Sequence, residues 1–313
     1  MEVKILFTTS KELSATFGII EIGKYKIEPL PTNPSNLAGS KIRHLLRFED
    51  SIREGETVSQ PLVEAQMFLS FFSLMMGSRL DIDSSMINDV KTDMPDSIAT
   101  DTYKEYRGLI DSIPDFDAHI KKLMSSDYDI AKQFLRACEV YRTAVNLIGT
   151  NNTLSFFLLS IAIECLSNKI STKTGTCEKF VDFIYTYLPD KSDFATEEEW
   201  ISILKEIYYS HISGFTHGGK LIPEAVRLAD KLNRKYVRNT IDGRDVRTPG
   251  LKWFEAIVRN CLIGFISKIS LKEENNLVDY FKEISLEYGI INLKKRKNII
   301  GGQIVTTADV ELD

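Results

Sequence analysis

Histidine is scarce in this chain. Four occur in 313 residues, and two of them, His211 and His217, fall in the stretch YYSHISGFTHGG (208–219). A helical metal pair needs a spacing of three or four, so a separation of six excludes that arrangement. Cysteine is equally scarce: Cys138, Cys165, Cys177 and Cys261 show no CxxC spacing. That excludes a zinc ribbon or a disulfide framework and leaves reduced thiols, three of them in apolar, helix-like stretches. Positive charge is short, with a net charge of −5 and a pI of about 5.6. A broadly basic surface that coats nucleic acid is excluded, although a local basic groove is not. The longest apolar run, LSFFLLSIAIECL (154–166), is too short to span a bilayer and carries Glu164. The N-terminus, MEVKILFTTSKELS, lacks the charged-then-apolar pattern of a secretory leader. These absences predict a soluble cytoplasmic protein with no membrane partner. No Gly-rich phosphate loop, no GxSxG and no Cys–His nucleophile pattern occurs, so no cofactor and no metal are expected.

What is present is an ordinary globular composition, 43% apolar and 27% charged, at a length that allows a normal core. The fold class expected is α+β: a mixed N-terminal α/β domain over residues 1–125, then an all-α bundle over 126–290, then a basic segment and tail over 291–313. VKILFTT (3–9) reads as a strand, and FGIIEIGKYKIEPL (17–30) as a hairpin folded at Gly23. PLVEAQMFLSFFSLMMG (61–77) opens with proline, ends at glycine and is apolar on more than one face, which predicts a buried helix. SRLDIDSS (78–85) reads as a strand, and 88–118 as a loosely structured connection. Beyond it, helices are predicted over 127–149, 151–172, 177–188, 196–219, 251–270 and 273–289, from caps, glycine stops and apolar spacing. The stretch 229–250 reads as polar connection. LKKRK (293–297) is a basic cluster that reads as a solvated helix end, or else as a contact to RNA phosphates that salt would screen.

On a wheel of 100° per residue, Glu206, Ser210, Ser213 and His217 form a polar stripe, while Leu204, Tyr208, His211 and Phe215 share another face. The two histidines then stand about 120° apart. His211 reads as a packed ring bonded to a backbone group. His217 reads as a helix-end residue, where the dipole favours its cationic form. Glu164 sits among apolar neighbours and needs a partner. Arg136 and Arg142 on the preceding helix are candidates for it.

RACEVYRTAVN (136–146), LLSIAIECLSNK (158–169), IYYSHISGFTHGG (207–219) and PGLKWFEAIVRNCLIGFI (249–266) together resemble a HEPN domain, of the abortive-infection-associated, Apea-like branch. The resemblance covers about half the chain. Tyr209, Ser213, His217 and Gly218 match the family's pattern of Tyr, Arg, small polar, then His-Gly. The resemblance implies metal-independent RNA cleavage in a homodimer formed through the helical domain. The histidine would act as acid or base on the 2′-hydroxyl or the leaving oxygen, and the arginine would hold the scissile phosphate. It implies His217, His211 and Glu164 as candidate catalytic residues and Ser213, Tyr209, Arg142 and Arg259 as candidate substrate contacts. It also implies a prokaryotic defence or toxin-type system, with RNA and an antitoxin or other defence-system protein as partners.

The chain departs from the pattern at the arginine. The expected position, five before His217, holds Ile212, and no Arg or Lys occurs between Lys205 and Lys220. Loss of a phosphate-stabilising cation costs several kcal/mol, on the order of 2.7–4, in the transition state. Either cleavage is lost, or Arg142, Arg259 or a basic residue of a partner chain replaces the missing cation. Three readings stand: an active endoribonuclease using His217, a non-catalytic descendant that binds RNA or a nucleotide or simply dimerises while the N-terminal domain senses a trigger, and a helical scaffold without RNA function.

Overall fold

A computed structural model describes residues 2–9, 20–22, 24–30, 42–49, 60–87, 90–92, 116–124, 126–191, 196–213, 225–232, 234–241, 244–269, 298–300 and 303–305. Strand β1 (Glu2–Thr9) is central in a six-stranded antiparallel sheet. It pairs with β4 (Ile42–Glu49) on one side and β5 (Leu80–Ile87) on the other. The hairpin β2 (Ile20–Ile22) and β3 (Tyr25–Pro29) extends the sheet beyond β4, and β6 (Val90–Thr92) extends it beyond β5. Alternation in β1 puts Val3, Ile5 and Phe7 on one buried face.

Helix α1 (Gln60–Met76) covers that face. Phe72 meets Phe7 at 6.3 Å between ring centroids, and Phe68 stacks on Tyr25 at 4.2 Å. Phe71 turns the other way and meets Phe134 at 6.3 Å. This two-sided burial is why the α1 sequence is apolar all round: it is the layer shared by the sheet and the helices. The hydrophobic core runs unbroken from Val3 to Ile266, across the boundary expected near residue 125.

The helical half comprises α2 (Phe116–Met124), α3 (Tyr128–Leu147), α4 (Asn152–Ile170), α5 (Thr176–Tyr187), α6 (Glu197–Ile207), α7 (Ala225–Lys231) and α8 (Leu251–Lys268). Their starts follow from local chemistry. Asp127 accepts from the Asp129 amide, Asn151 from Leu154 and Thr196 from Glu199, each at 3.1 Å. The glutamates at 197, 198 and 199 then sit against the positive end of α6. Gly149, at φ 88°, supplies the left-handed residue after α3. Deep in the bundle, Phe156 of α4 stacks on Phe254 of α8 at 4.3 Å.

Several expectations are corrected. The connection over 88–118 contains β6 and the start of α2. The apolar run is not limited to 154–166: α4 is long and apolar enough to cross a membrane by length and composition, with a mean hydropathy of 1.4. It nevertheless buries Phe156, Leu159, Ile163 and Leu166 in the core, as the central helix of a globular fold does. The polar stretch 229–250 is the end of α7 followed by an antiparallel hairpin, β7 (Tyr236–Ile241) and β8 (Arg244–Pro249). The tail contains a second two-stranded pair, β9 (Asn298–Ile300) and β10 (Gln303–Val305). The helix expected over 196–219 ends at Ile207 and passes into a π-helical turn, Tyr208–Ser213. The predicted helix 273–289 and LKKRK lie outside the described residues.

Candidate functional site

The π turn carries the centre of the opening motif. Its i→i+5 ladder adds a residue to the turn, so the 100° wheel used above does not hold through 208–213. Tyr208, His211 and Ile212 still face inward. His217, Gly218 and Gly219 lie outside the described residues.

Ile212 is 3% exposed and part of the core cluster. A guanidinium could not be seated there without burying its charge. His211 is equally buried. Its Nε2–H donates to the Arg247 carbonyl at 3.4 Å, which fixes the tautomer, and its ring meets Phe156 edge-on at 5.9 Å. Burial pushes its pKa below the ordinary histidine value, against smaller upward effects from the Arg247 carbonyl and Glu206. At neutral pH the ring is uncharged, so it cannot stand in for a phosphate-binding cation.

Glu164 on α4 points to the same turn. The Tyr208 hydroxyl donates to Glu164 Oε1 at 3.0 Å. Burial raises the carboxyl pKa, and this hydrogen bond opposes the rise. The tyrosine is shifted far upward, first by burial and then by the adjacent carboxylate. Tyr209, by contrast, is 57% exposed, and its pKa is raised chiefly by the nearby Cys177 thiol. Ser213 is half-buried at the end of the turn.

The two arginines named as replacement cations are occupied elsewhere. Arg142 on α3 donates through Nε to Ser70 Oγ of α1 at 3.0 Å. Arg259 on α8 donates to the Leu74 carbonyl at 2.8 Å and to the Met75 carbonyl, so it caps the end of α1. Both are buried at the layer between sheet and helices. The structure therefore joins Glu164, Tyr208 and His211 around one turn and assigns Arg142 and Arg259 to α1.

Sequence reasoning missed the β7–β8 hairpin. It packs on α6 and brings two arginines beside the π turn. Arg247 Nε donates to Glu206 Oε2 at 2.6 Å, its backbone amide donates to Glu206 Oε1, and its Nη2 donates to Ser202 Oγ at 3.1 Å. Arg238 stands directly across the ladder from Arg247. Glu206, Arg238, Asp245, Val246 and Arg247 line a cleft of about 210 Å³. The signal was in the sequence: alternating residues on either side of Asp242-Gly243, the strongest short hairpin signature. Among the described residues, no group of three or more His, Cys, Asp or Glu could hold a metal ion.

Comparison with protein-family models, with curated proteins and with solved structures finds no match for the chain.

Proposed function

We propose that the chain is a HEPN-like protein of a prokaryotic defence or toxin-type system, associated with RNA through its helical half and impaired in RNA cleavage. The observation that carries this reading is the burial of Ile212. The position that would hold the scissile phosphate is filled by a core side chain, and the adjacent His211 is packed and neutral. Without a paired-donor cation there, the charge developing in the transition state has no counterion from this segment. Binding needs less, since single-stranded RNA is held by scattered cations and stacking surfaces. Exposed Tyr209 and the exposed hairpin residue Arg238 are such groups.

One observation favours a second reading. The hairpin sets Arg238 and Arg247 next to the turn that leads to His217, so a cation from β7–β8 could serve a metal-independent endoribonuclease.

The experiment is incubation of the purified protein with a mixed single-stranded RNA pool in chelator. Intact RNA together with a salt-sensitive mobility shift is expected. Cleavage that His217→Ala abolishes would replace the first reading with the second. No RNA affinity at low salt would overturn both and leave a scaffold.

A further inference from the structure

We propose that the cleft between α6 and the β7–β8 hairpin seats one backbone unit of single-stranded RNA, with Arg238 as its phosphate-binding cation. This rests on the RNA reading above and names the place where contact is made.

The register puts Arg238 opposite Arg247 and Thr240 opposite Asp245. Side chains two apart on a strand share a face, so all four project from the same side of the hairpin. Like charges directly opposite in a ladder repel. Glu206 compensates one of them, binding both the guanidinium and the backbone amide of Arg247. The Arg238 side chain is exposed and makes no ion pair or hydrogen bond among the described residues. Asp245 accepts from Thr240 Oγ1 at 3.2 Å and has no cationic partner among the described residues. The cleft thus presents one open guanidinium and one open carboxylate, beside a cation that is already neutralised.

A ligand that satisfies both carries an anion and a hydrogen-bond donor a short distance apart. A ribonucleotide unit does: its phosphate faces Arg238, and its 2′-hydroxyl donates to Asp245. The 2′-hydroxyl is the group by which a protein separates RNA from DNA. Size points the same way. At about 210 Å³ the cleft is smaller than the range of about 300–1,000 Å³ typical of sites for whole cofactors. Its open, polar lining suits a segment of a strand that continues past it.

The test is fluorescence anisotropy with a labelled oligoribonucleotide and the oligodeoxyribonucleotide of the same sequence, each over a salt series, on the full chain. Arg238→Ala is expected to weaken both several-fold and to reduce the salt slope by about 0.7, the value of one single-strand phosphate contact. Arg238→Lys should keep the slope, because it keeps the charge. Asp245→Asn should narrow the preference for RNA over DNA, whereas mere relief of repulsion would tighten both alike. Arg238 is exposed, so a fold change is not expected; Arg238→Gln repeats the measurement if the alanine variant melts early. If the wild-type chain binds RNA and both Arg238→Ala and Arg238→Gln leave affinity and slope unchanged, the seat is elsewhere and the RNA reading survives. If the wild-type chain binds neither oligonucleotide at low salt, the RNA reading fails and this inference falls with it.

Discussion

Ile212 and His211 are neighbours in the chain, and both are buried among aromatic and aliphatic side chains. Restoring the resembled motif by Ile212→Arg therefore runs against the core. Burying an unpaired guanidinium is among the few single changes that cost about 4 kcal/mol or more. A large drop in the urea midpoint with no gain of RNA cleavage is expected. A variant that folds like the wild type and cuts RNA would show that the position is a vacant catalytic slot. A second residue-scale prediction concerns His44. It is buried, stacked on Phe7 at 5.3 Å, and burial lowers its pKa to about 4. The folded state then binds fewer protons than the unfolded state between pH 4 and the ordinary value of 6.5. Its contribution is full above pH 6.5 and is lost as the pH falls towards 4, amounting to about 3 kcal/mol at most. Urea midpoints measured from pH 7 to pH 4 should fall more steeply for the wild type than for His44→Gln. Equal slopes would mean that His44 is not held neutral.

At the scale of elements, α8 works as a clamp. Its Gly264 crosses the end of α5 so closely that a Cβ there would stand 2.0 Å from the Tyr187 carbonyl oxygen. Helix propensity alone favours Ala over Gly by about 1 kcal/mol. A backbone clash of that depth outweighs it, so Gly264→Ala is expected to lower the melting temperature, with a net cost of about 2 kcal/mol. A rise would show that the crossing has slack. Arg259, five residues and a little more than one turn earlier, caps α1. Arg259→Met keeps the aliphatic stem but leaves two carbonyls without their donor, at a cost of about 3 kcal/mol by the same urea measurement. Unchanged stability would mean that water replaces the guanidinium. The elements also show what was legible in the sequence and what was not. Helices α1, α3, α4 and α8 carried apolar spacing, caps and glycine stops, and each lies within a few residues of its expected span. The role of Arg259 was not legible, because its acceptors are 185 and 184 residues away in the chain. The π turn was hidden for a different reason. Its sequence has ordinary helical composition, and the extra residue is a matter of hydrogen-bond register. The β7–β8 hairpin was legible through Asp242-Gly243, but the charged alternation around it reads as polar connection unless period two is sought.

At the scale of the whole molecule, one core joins a six-stranded sheet to a helical bundle through α1, and the cleft lined by Arg238 and Asp245 lies where the hairpin meets α6. The candidate site was half legible. His211 and Glu164 stood out by type and setting, and the structure brings them to one turn with Tyr208. Arg142 and Arg259 stood out by charge alone, and charge does not say where a long side chain ends. The hairpin arginines had no counterpart in the resembled motif, so nothing in that motif pointed to them.

The central claim is that this helical half engages RNA without cutting it. It is tested most directly by holding the full chain with labelled single-stranded RNA in chelator, at low and at moderate salt, and resolving both complex and product. The account predicts a complex that dissolves as salt rises and RNA that stays full length. Metal-free cleavage by the wild-type chain that disappears in His217→Ala would contradict it.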